Sequence, residues 1–202
     1  MKKRLIVATK NKKKLQEIKE LLSSLDLQVV SLLDFPKIPR IIENAKTFKG
    51  NAVKKAVVTA RYFGSLALGE DSGLCIDALG GAPGVRSSRF CGKNKSDPQN
   101  NARVLKLMQG LPKGKRKAHY VCAVALADKK GLVGACEGKC FGIIAKGLKG
   151  VFGFGYDPLF IVPKYNKTFA QLGIRVKHKI SHRYRALSKT KALLSTYLRK
   201  NP

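Results

Sequence analysis

Gly69-Glu70-Asp71-Ser72-Gly73 sets two carboxylates side by side, directly after the apolar run Ser65-Leu66-Ala67-Leu68. Acidic residues are scarce here: 41 Lys and Arg stand against 12 Asp and Glu, a formal net charge of +29. Such a pair fits either a polar turn that closes a strand or a site that holds a metal ion or takes a proton beside an anionic substrate. Side chains next to each other in a strand point to opposite faces. Glu70 and Asp71 can therefore share a target only if the strand ends at Gly69, a break that Gly73 would permit. A cleft combining Asp71 and Glu43 with Lys12, Lys13 and Lys14 would pair hard oxygen ligands with phosphate-binding cations. Mg2+ binds through one or two carboxylates plus substrate phosphates, and a further carboxylate can activate water. That is phosphoanhydride hydrolysis in outline.

Three further segments carry chemistry. Thr9-Lys10-Asn11-Lys12-Lys13-Lys14 follows a short apolar run and opens a helical pattern. Lysines are badly placed for the dipole at a helix start, so the cluster fits an anion site or the surface of a lysine-rich protein. Gly153-Phe154-Gly155-Tyr156-Asp157-Pro158 reads as a tight turn, whose aromatic rings either fill a core or stack on a base. In Lys177-His178-Lys179-Ile180-Ser181-His182-Arg183, the two histidines have a zinc-ligand spacing. No cysteine or acid of matching spacing supports zinc. Lys177, His182 and Arg183 fit donors to oxo groups or phosphates, or solvated residues at a helix start. No Walker-type phosphate loop and no nucleophile elbow is present.

The elements that must position these groups follow from periodicity. Arg4–Ala8 reads as a buried strand, and Leu15, Ile18, Leu21, Leu22 and Leu25 recur at helical spacing, with Thr9 or Asn11 as N-cap. Val29–Leu32 is a second strand. A helix is predicted from Thr47, stopped by Gly64, and the strand Ser65–Leu68 then delivers the carboxylate pair. Residues 79–90 form a Gly/Pro turn region, and Asn100–Met108 a short helix. Ala118–Ala127 and Leu132–Ile144 flank Asp128-Lys-Lys-Gly131 as a β-hairpin. Another apolar strand follows the turn at 153–158, and Ser181 caps a final helix with Leu187, Leu194 and Leu198 inward. Mixing βα units with a central hairpin predicts an α/β protein with a mixed, twisted sheet, and ligands gather at strand ends in such sheets.

A chain of 202 residues with 44% hydrophobic composition suits one domain, 1–202, with a real core and room for two lobes. Five cysteines without a C-x-x-C argue against a disulfide framework and fit a reducing cytosol. The N-terminus is too short in apolar residues for a secretory core, and the longest apolar run, 121–127, is far below a membrane span. A soluble, cytoplasmic protein is expected, with no membrane partner. The net charge allows non-specific nucleic-acid adhesion.

Taken in order, ATKNKKKLQE, ENAKTFKGNAVKKA, GEDSGLCIDALGGAPGVRSSRF, GFGYDPLF with KTFAQL, and ISHRYRAL together resemble the inosine triphosphate pyrophosphatase family, over about residues 4 to 198. The resemblance implies an elongated α/β fold with flanking helices and two lobes around a central cleft, assembled as a homodimer. It implies Mg2+-dependent hydrolysis of non-canonical purine (deoxy)nucleoside triphosphates (dITP, ITP and XTP) to the monophosphate and pyrophosphate. By match to the family motifs, Thr9, Lys10, Asn11, Lys12, Lys13 and Lys14 hold the triphosphate, and Asn51 and Lys55 join them, the lysine facing phosphate. Glu43 is a metal-site residue, and Asp71 is metal ligand and proton acceptor, supported by Glu70. Ser72 touches substrate, Phe154, Gly155, Tyr156 and Asp157 form the base-binding turn, and Lys177, His182 and Arg183 read the purine. Departures from the pattern are the extra Lys10, Lys12 and Lys13 at variable positions, Arg86 in place of an aromatic, and the lack of a proline in 141–150.

Overall fold

A computed structural model describes residues 2–38, 40–92 and 96–201. The first strand, β1 (Lys3–Val7), buries Leu5, Ile6 and Val7 completely. A buried, uncharged run of this kind suits a strand covered on both faces. Helix α1 (Lys12–Leu22) follows, its Asn11 cap accepting from the Lys14 N–H at 3.1 Å, and returns the chain to β2 (Leu27–Ser31) parallel to β1. Helix α2 (Phe48–Phe63) is capped by Thr47 and ended by Gly64, whose φ of 60° is a conformation glycine takes without strain. It leads into β3 (Leu66–Ile76), parallel to β1 on its other side.

Helix α3 (Asp97–Leu107) starts three residues earlier than the sequence predicts, because Ser96 and Gln99 form a capping box. Strands β4 (Lys117–Asp128) and β5 (Gly131–Ile144) are sheet neighbours joined by Lys129-Lys130. The Asp128 carboxylate accepts from the Lys130 and Gly131 N–H groups across that turn. Short antiparallel strands β6 (Phe160–Val162) and β7 (Lys167–Thr168) extend the sheet, followed by α4 (Phe169–Ile180) and α5 (His182–Lys200). The strand order is β2-β1-β3-β4-β5-β6-β7, a mixed α/β sheet as the βα-plus-hairpin pattern predicts.

Two compact units divide the chain. The first comprises Met1–Asp71, Cys122–Gly138 and Arg183–Pro202, and the second Ser72–Val121 and Lys139–His182. The first has a core of Leu5, Val7, Ile18, Leu68, Leu126 and Leu194, with a smaller cluster of Ile6, Ala8 and Leu32. The second is built on Leu74, Ile76, Val104, Met108, Phe160 and Phe169.

One expectation is corrected. No turn interrupts the strand at Gly69: β3 runs unbroken from Leu66 to Ile76 and carries the carboxylate pair in its middle. The glycine serves close approach. A Cβ at position 69 would lie 2.1 Å from the Ala52 carbonyl oxygen and 2.6 Å from the Ala56 nitrogen, so only glycine lets α2 press this hard on β3.

Candidate functional site

Gly69 and Asp71 lie two residues apart in β3 and share a face. The helix that presses on Gly69 presents Asn51 and Lys55, one turn apart on α2, to Asp71. The Asn51 Nδ2 and Lys55 Nζ each donate to the Asp71 carboxylate at 3.1 Å. Asn51 also accepts from the Ala45 N–H at 2.9 Å through its Oδ1, which ties down the segment carrying Glu43. Lys55 then reaches Glu43 at 2.7 Å. Two carboxylates thus converge on one ammonium.

Glu70 points to the other face and has a different set of partners. Lys14 donates to it at 2.8 Å, Arg183 at 3.2 Å and the Cys122 thiol at 3.2 Å. Arg183 is fully buried and also binds Glu17, one turn along α1 from Lys14. Four of the chain's 12 acidic residues therefore gather in two ion-pair sets on opposite faces of β3, Glu43 and Asp71 on Lys55, and Glu17 and Glu70 on Arg183.

The adjacent carboxylates are driven in opposite directions. Burial alone would raise Glu70, but Lys14 and Arg183 hold it well below the ordinary glutamate range. Burial pushes Asp71 up, the Glu70 charge adds to this, and Lys55 offsets only part of it. Burial would lower Lys55, yet Asp71 and Glu43 raise it; burial would likewise lower Arg183, and Glu70 and Glu17 raise it. One carboxylate is a fixed anion and its neighbour is easier to protonate, a separation of environments typical of acid–base sites.

Thr9, Lys10 and Asn11 lie in the turn between β1 and α1, and Lys12, Lys13 and Lys14 form the first turn of α1. The Thr9 hydroxyl accepts from the Asn11 N–H at 3.1 Å, and Lys10, Asn11, Lys12 and Lys13 are exposed. No acidic residue lies in the first turn of α1.

Residues of the predicted base turn come together in the second unit. The Asp157 carboxylate accepts from the Phe154 N–H at 2.9 Å and from Lys177 at 2.7 Å. Gly153 has φ 84°, and a Cβ there would sit 2.1 Å from the Asp157 carboxylate. The Gly155 N–H donates to Asp97 at 2.7 Å and its carbonyl accepts from Asn101 at 3.0 Å. Lys177 lies 4.5 Å from the Phe154 ring centroid. Tyr156 is buried and donates to the Ser87 carbonyl at 2.7 Å, so Phe154 is the more accessible ring of the turn. His182 is buried and stacked on Tyr120, with centroids 4.5 Å apart and planes at 7°. Ser72 is half-buried at the start of this unit.

Sequence reasoning missed Glu17, Cys122, Ser87, Asp97 and Asn101. Spacing carried a signal for three of them: Glu17 follows Lys14 by three residues, and Asp97 precedes Asn101 by four, each pair one turn of helix apart.

Among the described residues no group of three His, Cys, Asp or Glu forms a ready metal cluster. Glu43 and Asp71 nevertheless supply the hard oxygen donors a Mg2+-type ion takes, and such an ion draws its other ligands from water and phosphate. The donor set fits.

A model of the Ham1 family matches residues 5–193. A dITP/XTP pyrophosphatase of Desulforamulus reducens is 48% identical over 192 residues, 95% of this chain and 96% of that protein. The dITP/XTP pyrophosphatase of Geobacter sulfurreducens is 45% identical over 195 residues, 96% of each chain. Among solved structures, a HAM1 protein from Coxiella burnetii superposes with a TM-score of 0.88 at 38% identity, covering 96% of this chain and 99% of that one. The Staphylococcus aureus Ham1 protein gives 0.87 at 33% identity, covering 96% and 100%.

Proposed function

The chain belongs to the Ham1 family, and from that premise we propose that it hydrolyses non-canonical purine (deoxy)nucleoside triphosphates, dITP, ITP and XTP, to the nucleoside monophosphate and pyrophosphate. Its relatives at 45–48% identity carry the name dITP/XTP pyrophosphatase over nearly their whole length. The observation that carries the reading in this chain is Asp71, buried, pushed up in pKa, and held by Asn51 and Lys55 beside Glu43.

Asp71 accepts the proton of the attacking water. The water oxygen bonds to phosphorus, the anhydride bond between the α- and β-phosphates breaks, and pyrophosphate leaves with the bond's electron pair. Glu43 and Asp71 would hold Mg2+, which supplies charge neutralisation of the triphosphate. Lys55 and Lys14, each beside its carboxylate, face phosphate. Thr9, Lys10, Asn11, Lys12 and Lys13 form the phosphate-binding turn at the start of α1, where anions are favoured, with the lysines supplying ammonium groups. Ser72 contacts substrate.

Phe154–Asp157 takes the base, with Phe154 stacking on it, and Lys177, His182 and Arg183 act as the purine readers. Hypoxanthine and xanthine carry a 6-oxo acceptor that suits such donors. Adenine presents an amino group there and leaves them unpaired, at a cost of about 1–3 kcal/mol per group. In this reading residues 1–202 serve as a single catalytic domain, and the protein works as a cytoplasmic homodimer.

The test is product analysis with dITP, XTP, dGTP, dATP and dTTP, each offered with Mg2+ and again with chelator. Monophosphate plus pyrophosphate, chiefly from dITP and XTP and only with the metal, is the expected result. Diphosphate plus orthophosphate would reject the bond assignment, and equal turnover of dATP would reject the base assignment.

A further inference from the structure

The second unit holds a cavity of ≈ 500 Å³ that none of the candidate-site residues lines. Its wall mixes Leu105, Met108 and Leu111 with three cations, Lys106, Arg116 and Lys146. Arg116 is the unusual member. It is 4% exposed, yet its guanidinium is bound by backbone carbonyls alone. Nε donates to Ile144 at 2.7 Å, Nη1 to Met108 at 2.6 Å and Leu111 at 3.5 Å, and Nη2 to Ala145 at 2.8 Å. That leaves one of its five N–H groups, on Nη2, without a protein acceptor among the described residues.

No carboxylate pairs with it among the described residues. The acidic residues of this unit are Asp77, Asp97 and Asp157. Asp77 lies 3.8 Å from His119, Asp97 accepts from Gly155, and Asp157 pairs with Lys177. Carbonyl dipoles solvate a buried cation but leave its full charge uncancelled. Burial accordingly lowers the Arg116 pKa with nothing opposing it, the reverse of Arg183. The chain on either side adds Lys113, Lys115 and Lys117, all exposed.

We propose that this cavity binds a small phosphorylated molecule with an apolar or aromatic body, its phosphate held by Arg116, Lys106 and Lys146. The remaining Nη2 N–H supplies one charge-assisted hydrogen bond to a phosphate oxygen, the two lysines supply the other positive charges, the cavity has the volume of an ordinary small-molecule site, and the leucine and methionine side chains cover what the phosphate carries. This site stands independently of the proposed hydrolysis.

Adenosine 5′-monophosphate is the probe, with inorganic phosphate and sodium chloride at matched ionic strength as controls. Lysine acylation read by mass spectrometry reports each lysine separately. AMP is expected to protect Lys106 and Lys146, whatever it does at Lys55 and Lys177. In calorimetry, a Lys106→Ala/Lys146→Ala variant should weaken AMP binding about tenfold or more while leaving dITP turnover unchanged; Arg116 is kept because it ties four carbonyls. No protection, or protection matched by sodium chloride, overturns the site. Protection by inorganic phosphate equal to that by AMP overturns the organic ligand.

Discussion

Two buried lysines each face an aspartate, Lys55 with Asp71 in the first unit and Lys177 with Asp157 in the second, but the surroundings of the two pairs differ. At Lys55 the second partner is another carboxylate, Glu43, and a third, Glu70, stands next in the strand. At Lys177 the aspartate spends its other bond on the Phe154 backbone N–H, and Lys177 itself rests near the Phe154 ring. The first arrangement concentrates negative charge and separates the pKa values of neighbouring acids. The second fixes the shape of a turn. The same residue pair therefore serves charge handling in one unit and backbone positioning in the other, and the difference lies in what else the aspartate touches.

The sharpest test of the charge-handling side is Asp71→Asn. Removing a positioned proton acceptor costs about 10²–10⁴-fold in rate, and kcat for dITP should fall by that amount. Lys55 keeps Glu43 and position 71 keeps its shape, so the thermal midpoint should stay near that of the unsubstituted protein. A kcat within tenfold of the starting value would remove Asp71 from the chemistry and erase the contrast between the two pairs.

Arg183 decides how far the charge network extends. It is buried between Glu17 and Glu70, and breaking a buried ion pair from one side costs about 3–5 kcal/mol. Arg183→Met should lower the Tm by roughly 6–20 °C for a chain of this size, as followed by thermal denaturation. An unchanged Tm with a collapsed ratio of dITP to dATP turnover would leave Arg183 its purine-reading role and remove it from the stabilising network.

What the sequence made legible is mostly local. Asn11, Thr47 and Gly64 announce the ends of α1 and α2 because capping chemistry and helical periodicity act within a few residues. Five ordered motifs carried the family resemblance. The continuous course of β3 was hidden, because Gly69 answers to a helix packed on it rather than to its own strand. Glu17 and Arg183 are 166 residues apart, and nothing in either segment alone shows that they meet. Helix α4 escaped because Gly173, with φ 74° and ψ 175°, kinks its pattern, and β7 is only two residues long. His182 reads as an exposed donor at a helix start; its burial depends on Tyr120, a residue in another element.

The smallest effect is expected at the turn's ring. Phe154 takes part in positioning through its backbone N–H, which any residue would supply, and its side chain is partly exposed. Phe154→Ala thus leaves the Asp157–Lys177 hydrogen bond in place and removes the stacking surface together with the ring beside Lys177. An aromatic stack contributes about 0.5–1.5 kcal/mol beyond the area it covers, equivalent to about a two- to twelvefold rise in KM for dITP. Because stacking holds ground state and transition state alike, kcat should stay constant. A fall in kcat with KM unchanged would mean that the ring helps set the geometry of the reacting phosphate, and the turn could no longer be described as a site of shape alone.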